Sequence, residues 1–453
     1  MQLWKLYKVP LLLTIVSLIL YWFFAYDLIR TEYSKLITLY SLLWLLFVLI
    51  LKYSKHNIQL LAGVALLFRV IFILAIPNLS QDFYRFIWDG RMILQGFNPY
   101  LYTPESFITA QEFPIAQAQD LYKGMGQLNG SHFSNYPPIN QLCFVIASLF
   151  SNSSILNSVV VLRILIIAAD FGTFFFGKRL LQEFNIPVKH IFWYVLNPFI
   201  IIELTGNLHF EGVMIFFLVW SLFLLHSGKW KWAAVVFALS ISVKLIPLLF
   251  LPLLFKYFKK PFAKGIDLKK LISFYAIVGT TTILLFAPFF SSEFINNYTQ
   301  TVALWFNNFE FNASIYYIIR ELGYLFRGYN EIAIIGKILS VIVFLIVIGL
   351  AIFNKRKTTK ALIINMLLGL TCYLLLSTTI HPWYIATLLI LSVFTNYKYP
   401  LVWSFIVILS YLAYINLNKA DKSENLWIIA IEYVVVYGVL IWELFIKKRV
   451  KQE

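Results

Sequence analysis

The sequence predicts an all-α polytopic membrane protein with about 14 (12–14) transmembrane helices and amphipathic helices at one membrane face. Of its 453 residues, 60% are hydrophobic and 18% aromatic, but only 13% are charged. That is more apolar surface than one water-soluble core can bury. Lysines and arginines cluster between the apolar runs, which is typical of cytoplasmic membrane loops. The net charge of +16 therefore indicates membrane topology, and no nucleic-acid partner is expected.

Apolar runs along the chain predict the individual spans, some of them short enough to be paired or broken helices. The first run follows Lys5 and Lys8 like a signal peptide, but no small-residue cleavage site follows it, so we expect a retained span. Cys143 and Cys372 lie in apolar surroundings and are expected to be packing residues. The predicted spans are 10–26, 36–52, 58–78, 158–177, 190–204, 208–226, 230–244, 246–257, 269–290, 331–352, 360–377, 382–396, 399–416 and 426–446.

The orientation of these spans follows from the cations. With a cytoplasmic N-terminus, the inner segments collect 24 of the 37 lysines and arginines and the outer segments collect 9. Both termini are then cytoplasmic. The remaining four lysines and arginines fall within spans: Arg69, Arg163, Lys244 and Lys337. Residues 139–150 could also form a span, but "GKRLLQEFNIPVKH" would then face outward against the charge rule. We therefore expect an interfacial or re-entrant helix there.

One membrane domain is expected over residues 1–453, with two long outer segments, 79–138 and 291–330, and no internal repeat. The first segment begins "SQDFYRFIWDGRMILQGFNPY". Ser80 is a good N-cap for a helix over residues 81–95, and Gly96 and Pro99 would end it. This helix is expected to lie at the outer surface, with its carboxylates directed away from lipid.

Helical periodicity places Asp82, Arg85 and Asp89 on one face of that helix, opposite a face of aromatic and aliphatic residues that includes Trp88. The two carboxylates would stand roughly 10 Å apart along the axis, which is too far to share a proton. Asp82 lies in the first turn, where the helix dipole favours the anion, so it suits the role of general base better. The alternative is an ordinary solvated helix face with weak ion pairs.

Other unusual polar residues fall at the same predicted membrane side. Each has a simpler explanation: snorkelling for Lys244, an aromatic belt for Trp383 and a structural role for His381. The spacing of His209 and Glu211 is poor for joint helical metal ligation, and no metal site is predicted. Together, these groups suit a cavity that binds a sugar and a phosphate. They are Tyr136, Asn207, His209, Glu211, Lys244, Asn312, Arg320, His381 and Trp383.

These motifs resemble bacterial GT-C glycosyltransferases of the polyprenol-phosphate-mannose type. The run from Asp82 to Gly90 through "GFNPY" resembles their first outer loop. "YPPINQ", "NPFIIIELTGNLHFEG", "SVKLIPLLFLP" and "HPWY" follow in the same order, so the resemblance covers residues 58 to about 390. Two departures are Phe86, where relatives often have Tyr, and Glu211, where Asp is commoner.

The resemblance implies a GT-C fold in the bacterial inner membrane and transfer of a hexose, with mannose expected, on the outer face. The donor would be a polyprenyl-phosphate sugar and the acceptor a glycan, glycolipid or lipid, without a required cofactor. Asp82 corresponds to the loop acid of the family and Asp89 to its second acidic position. Expected binding residues for the donor phosphate are Arg85, Lys244 and Arg320. Those for sugar or acceptor are Trp88, Tyr136, Asn207, His209, Glu211, Asn312, His381 and Trp383.

A transporter or flippase of lipid-linked saccharides is the alternative function, because it would also need many spans and intramembrane polar residues. Transporters tend to have repeated halves with broken helices at the midplane. Here no repeat is visible and the polar residues crowd one side, which favours an enzyme.

Overall fold

The computed structural model describes residues 2–54, 57–258, 265–307, 309–353, 358–413, 415 and 424–446. These ranges contain helices and one isolated parallel bridge, between Phe311 and Thr379, but no strand. The helices are α1 (Gln2–Tyr26), α2 (Tyr33–Tyr53), α3 (Ile58–Ile71), α4 (Asp82–Leu94), α5 (Pro104–Thr109), α6 (Ala118–Gly130), α7 (Pro138–Leu149), α8 (Ile155–Glu183), α9 (Phe192–Val195), α10 (Pro198–Ile200), α11 (Glu211–His226), α12 (Trp230–Ile241), α13 (Leu268–Phe286), α14 (Ser292–Asn307), α15 (Ile315–Arg327), α16 (Ile332–Phe353), α17 (Thr359–Leu376), α18 (Ile385–Val393), α19 (Tyr399–Ile406) and α20 (Leu426–Ile441).

Seven helices in the described part of the chain are long and apolar enough to cross a membrane, which confirms an all-α, multi-pass membrane protein. A bent pair of helices is an eighth candidate, and the predicted number of 14 spans stays a prediction. Five shorter apolar helices also match predicted spans or the predicted interfacial segment. The seven are Tyr7–Tyr26, Tyr33–Tyr53, Ile155–Glu183, Leu268–Phe289, Ile332–Phe353, Thr359–Leu376 and Leu426–Ile446.

Several predicted spans differ in form from the observed helices: the helix of span 58–78 ends at Ile71, and span 190–204 is divided into short segments. Residues 246–257 are not one helix but contain two short 3-10 segments, Ile246–Phe250 and Pro252–Leu254. Pro247 and Pro252 lack the N–H groups that a continuous α-helix needs, which explains the break. The predicted end of the 399–416 span lies partly outside the described residues.

The predicted spans 190–204 and 208–226 are joined through a bend of 115° between Pro198–Gly206 and Glu211–His226. The last turn before the bend, Ile201–Gly206, is a π-helix. Arg163 stabilises this turn, since its Nε and Nη2 donate to the carbonyls of Thr205 at 2.8 Å and Gly206 at 3.0 Å. One of the cations predicted within spans is therefore buried in order to hold this bend.

The first loop, residues 79–138, contains α4, α5 and α6 and leads into α7. Helix α4 begins at Asp82, and Ser80 Oγ accepts from the Asp82 N–H at 3.4 Å. Helices α4 and α7 cross at Gly90, where an added Cβ would lie only 2.2 Å from the Phe144 carbonyl oxygen. The sequence prediction of a helix near residues 139–150 corresponds to α7.

The second loop, residues 291–330, contains α14 and α15 and packs on the first loop. Asn297 Nδ2 donates to the Tyr100 carbonyl at 3.0 Å. The Tyr100 ring also lies 5.0 Å from the ring of Phe294 in this loop and 5.1 Å from that of Phe289 just before it. These contacts hold the two loops side by side, and a cavity lies between them and the helix ends.

Candidate active site

A cavity of about 520 Å³ lies between the two loops and the ends of the long helices. Three arginine or lysine side chains, one carboxylate and several aromatic rings line it. The lining residues are Arg30, Leu79, Ser80, Gln81, Asp82, Arg85, Leu128, Asn129, His132, Phe133, Ser134, Asn135, Tyr136, Pro137, Lys244, Leu245, Ile246, Leu249, Thr301, Val302, Phe309, Phe311, Tyr373, His381, Pro382, Trp383, Tyr384 and Tyr411.

Asp82 is the carboxylate that lines this cavity. It is half-buried at the start of α4, and Asn129 Nδ2 donates to its Oδ1 at 3.2 Å. Its Oδ2 accepts no hydrogen bond from the described residues. Burial raises the pKa of the Asp82 carboxyl, while Lys244, the Asn129 hydrogen bond and Arg30 act in the opposite direction. Asp82 thus presents an oxygen to the cavity that can accept a proton.

Asp89 lies behind the cavity and is fully buried. Arg85 Nε approaches its Oδ1 at 2.7 Å, and Oδ2 accepts from Ser134 Oγ at 2.5 Å and from Gln141 Nε2 at 3.0 Å. The alternative of an ordinary solvated helix face is therefore wrong for this residue. Both oxygens of Asp89 are already hydrogen-bonded within the protein, so its charge organises the first loop.

Arg85 links that buried pair to the cavity wall. It lines the cavity, yet its Nη1 donates to the carbonyls of Asn129 at 2.7 Å and His132 at 2.8 Å. The guanidinium thus holds the segment that carries Asn129, the hydrogen-bond donor to Asp82. Asp89 balances its charge at close range.

Lys244 meets a buried carboxylate. Its Nζ lies 2.9 Å from Glu211 Oε1, and the Lys244 side chain is 21% exposed while that of Glu211 is fully buried. The ammonium also lies 5.7 Å from the centre of the Tyr136 ring, within cation–π range. Lys244 and Tyr136 line the cavity, whereas Glu211 supports Lys244 from behind.

Stacked rings form one wall of the cavity. Trp383 lies between two imidazoles, with ring centres 4.6 Å from His381 and 3.6 Å from His209. Trp383 and His381 line the cavity, and His209 is buried behind them. Neither ring nitrogen of His209 has a hydrogen-bond partner in the described part of the chain. Because an imidazole stacks on each face of the Trp383 ring, this ring contributes to the cavity wall without a face free to stack against a sugar.

Two predicted binding residues near the first loop lie away from the cavity lining. Trp88 is buried, and its ring centre lies 6.5 Å from that of Phe107. Asn207 is buried and accepts from the Leu79 N–H at 3.2 Å, which fixes the start of the first loop.

Arg320 and Asn312, both in the second loop, also lie away from the cavity lining. Arg320 pairs with Glu310 at 2.6 Å and with Glu321 at 2.7 Å. Asn312 Nδ2 donates to both oxygens of the buried Glu432 at 3.3 Å. The structure therefore brings six of the predicted site residues to the cavity wall: Asp82, Arg85, Tyr136, Lys244, His381 and Trp383.

Sequence reasoning missed several polar residues of the lining. Arg30, Asn129 and Tyr411 come from three distant segments. Tyr411 donates to the two oxygens of the buried Glu203 at 2.8 and 2.9 Å, so its hydroxyl is already engaged. Only Arg30 carried a signal, because a cation in a predicted outer segment departs from the charge rule.

The described residues do not contain a group of three His, Cys, Asp or Glu side chains that could hold a metal ion. The expectation that no metal is required stays a prediction.

The fold and the cavity define a multi-pass membrane protein whose lining combines one acid, several cations and aromatic rings. A family model described as "alpha-(1->6)-mannopyranosyltransferase, N-terminal domain", of the MptA_B family, matches residues 11–258, and the chain belongs to this family. A search of curated proteins finds no match.

The family match confirms the resemblance to GT-C-type mannosyltransferases, and the protein is a glycosyltransferase of a mannosyltransferase family. It favours the enzyme over the transporter alternative. The matched range contains the first loop, the bend before α11 and Lys244, and thus Asp82 with its nearest charged neighbours.

Proposed function

We propose that this protein transfers a mannosyl residue from a polyprenyl-phosphate donor to an acceptor hydroxyl by an inverting single displacement. The observation that carries the proposal is the position of Asp82. Its carboxylate lines the same cavity as Lys244 and Trp383 and has an oxygen without a hydrogen-bond partner among the described residues. A base beside a cation is the arrangement that such a transfer needs.

In the proposed step, Asp82 accepts the proton of the acceptor hydroxyl while that oxygen attacks the anomeric carbon. The bond between the anomeric carbon and the phosphate oxygen breaks at the same time, and polyprenyl phosphate leaves with the electron pair. Because a phosphate is a good leaving group, no acid has to protonate it, and nearby cations stabilise its growing charge. A single displacement does not need the two closely spaced carboxyl groups, one nucleophile and one acid, of a retaining mechanism.

An apolar groove beside the cavity supports a lipid-linked donor. The groove has a volume of about 270 Å³ and is lined mainly by the 3-10 segments after Lys244, α16 and α17. Leu249 and Tyr373 line both the groove and the cavity, so the two spaces are neighbours. An isoprenoid chain would lie in the groove while its phosphate and sugar reach the cavity.

The charge distribution along the chain supports an active site on the outer side of a bacterial inner membrane. When successive spans cross the membrane in alternating directions, the predicted inner segments contain most of the lysines and arginines. Both loops around the cavity lie on the opposite, cation-poor side in that arrangement. Acceptors on this side would be glycans, glycolipids or lipids of the cell envelope.

The test is a donor panel with the purified protein in lipid nanodiscs and an acceptor extract from envelope membranes. Polyprenyl-phosphate [¹⁴C]mannose, polyprenyl-phosphate [¹⁴C]glucose and GDP-[¹⁴C]mannose are supplied separately, and labelled products are analysed for linkage and anomeric configuration. We expect label transfer from polyprenyl-phosphate mannose alone, with inversion at the anomeric carbon. Transfer from GDP-mannose, or retention of configuration, would contradict the proposal.

A further inference from the structure

Arg30 lines the cavity but has no acidic partner in the described part of the chain. It lies in the connection between α1 and α2 and is partly exposed. Its guanidinium carbon is 5.8 Å from the centre of the Tyr411 ring. A guanidinium in a cavity without a carboxylate partner is available to an anionic ligand.

The acidic residues nearest in sequence are already paired with another cation. Asp27 and Glu32 lie 2.7 and 3.1 Å from Lys35 Nζ. Lys35, Asp27 and Glu32 do not line the cavity. The two acidic residues of the connection between α1 and α2 therefore pair with Lys35 and form no ion pair with Arg30.

Apart from Glu203, which lies behind Tyr411, six charged side chains line the cavity or pair with a residue that lines it. Arg85 is neutralised by Asp89, and Lys244 is neutralised by Glu211. With Asp82 ionised to act as a base, Arg30 brings the sum of these six side chains to zero. Without Arg30, the cavity would be negative before an anionic donor entered, and desolvated like charges repel strongly.

We propose that Arg30 binds the phosphate of the lipid-linked donor and holds it as the leaving group, with Lys244 as the second cation. This inference rests on the proposed function and deepens it by assigning the phosphate subsite. In the displacement, the bond from the anomeric carbon to the phosphate oxygen breaks and the phosphate gains a negative charge. The acceptor proton neutralises Asp82 in the same step, so the total charge of the cavity is unchanged while the negative charge moves towards Arg30.

The competing explanation is that Arg30 serves only to balance the buried Glu203. Tyr411 separates the two groups, since its ring lies under the guanidinium while its hydroxyl donates to Glu203. In that case Arg30 would matter for folding and not for ligand charge. A ligand pair that differs only in the phosphate separates the two explanations.

The experiment measures binding of farnesyl phosphate and of farnesol to the purified full-length protein in nanodiscs. Arg30→Gln removes the charge, Arg30→Lys restores a charge, and Lys35→Gln is the matched control from the same connection. We expect Arg30→Gln to weaken farnesyl phosphate binding roughly ten- to a hundredfold, because a charged hydrogen-bond partner is lost. Farnesol binding should stay unchanged, Arg30→Lys should recover part of the loss, and Lys35→Gln should bind like the wild type.

Each result separates the two proposals. If the wild type does not prefer farnesyl phosphate over farnesol, both the proposed lipid-phosphate donor and the proposed role of Arg30 are wrong. If the wild type and Arg30→Gln prefer farnesyl phosphate over farnesol to the same degree, only the proposed role of Arg30 is wrong. If Arg30→Gln loses both ligands equally, or fails to fold while Arg30→Lys folds without any preference for the phosphate, the role is structural and the inference is overturned.

Discussion

The first and second loops both border the cavity, yet they are built in different ways. The first loop is held by its own polar network, in which Arg85, Asp89, Ser134 and Gln141 hydrogen-bond to one another. The second loop also has a polar network, around Glu310, but it is tied to α20 as well, because its Asn312 donates to Glu432. The first loop contributes Asp82 to the lining, whereas the second contributes Phe309, Phe311, Thr301 and Val302.

This difference indicates a division of labour between the loops. A base must be fixed relative to the reacting atoms, and the internal network of the first loop provides that rigidity. An apolar cover needs only to exclude water, and it can be held by a distant helix. Polar residues of the second loop that looked suitable for binding are used instead to hold this cover in place.

Changing Gly90 should have the largest structural effect, because it removes the close contact between α4 and α7. An added Cβ would lie 2.2 Å from the backbone oxygen of Phe144, so the helices must move apart. We expect Gly90→Ala to cost about 1–3 kcal/mol or more and to abolish transfer. Gly63→Ala in α3 is the control, since nothing lies within 4 Å of its added Cβ. Thermal melting in detergent and transfer assays measure both; equal behaviour of the two variants would refute the close-contact account.

The pH dependence of transfer should depend on the cations near Asp82. Burial raises the pKa of Asp82, and transfer needs the ionised form, so the rate should fall on the acidic side at a higher pH than for an ordinary carboxylate. Lys244 lowers this pKa, so Lys244→Gln should move the acidic limb to still higher pH and also slow transfer. Arg320→Gln should leave the limb in place. A pH profile of single-turnover rates tests this, and an unmoved limb in Lys244→Gln would count against Asp82 as the titrating base.

Weakening the attachment of the second loop should have a moderate effect. Asn312→Ala removes a hydrogen-bond donor from the buried Glu432, which costs roughly 1–3 kcal/mol. We expect a lower melting temperature and a raised KM with little change in kcat, because Phe311 loses its support while Asp82 is untouched. Asn296→Ala, an exposed position on α14, is the control. A large fall in kcat at unchanged KM would show that the second loop takes part in the chemistry.

Replacing Arg320 should have the smallest effect. Its partners Glu310 and Glu321 are partly or largely exposed, so the ion pairs contribute about 1 kcal/mol or less. We expect Arg320→Gln to retain transfer and donor affinity. Loss of donor binding in this variant would restore the sequence-based expectation that Arg320 binds the donor phosphate.

Local patterns predicted the parts of this structure that depend on neighbours in sequence. The helix that starts at Asp82 follows from its periodicity and its stop signals, and the observed range is within one residue of the predicted one at each end. The prediction of a span at 246–257 did not take account of the prolines in this stretch, which break the helix into 3-10 segments.

Roles that depend on distant partners were not predictable in this way. Besides Arg85, the hydrogen-bond partners of Asp89 lie 45 and 52 residues further along, and Glu432, the partner of the Asn312 side chain, lies 120 residues away. Periodicity carries no information about such pairs, so Asp89 looked exposed and Asn312 looked available for a sugar. The charge rule marked Arg30 as a cation in an outer segment, but its place in the cavity lining is visible only in the tertiary structure.

The most direct test of the central claim compares Asp82→Asn with Asp120→Asn, an exposed acid of the same loop. Both purified variants are supplied with polyprenyl-phosphate [¹⁴C]mannose and envelope acceptor extract in a single-turnover assay, alongside farnesyl phosphate binding. We predict that Asp82→Asn loses about 10²–10⁴-fold in rate, as expected for a lost general base, while it still binds farnesyl phosphate. Asp120→Asn should match the wild type. Transfer by Asp82→Asn at the wild-type rate would contradict the account.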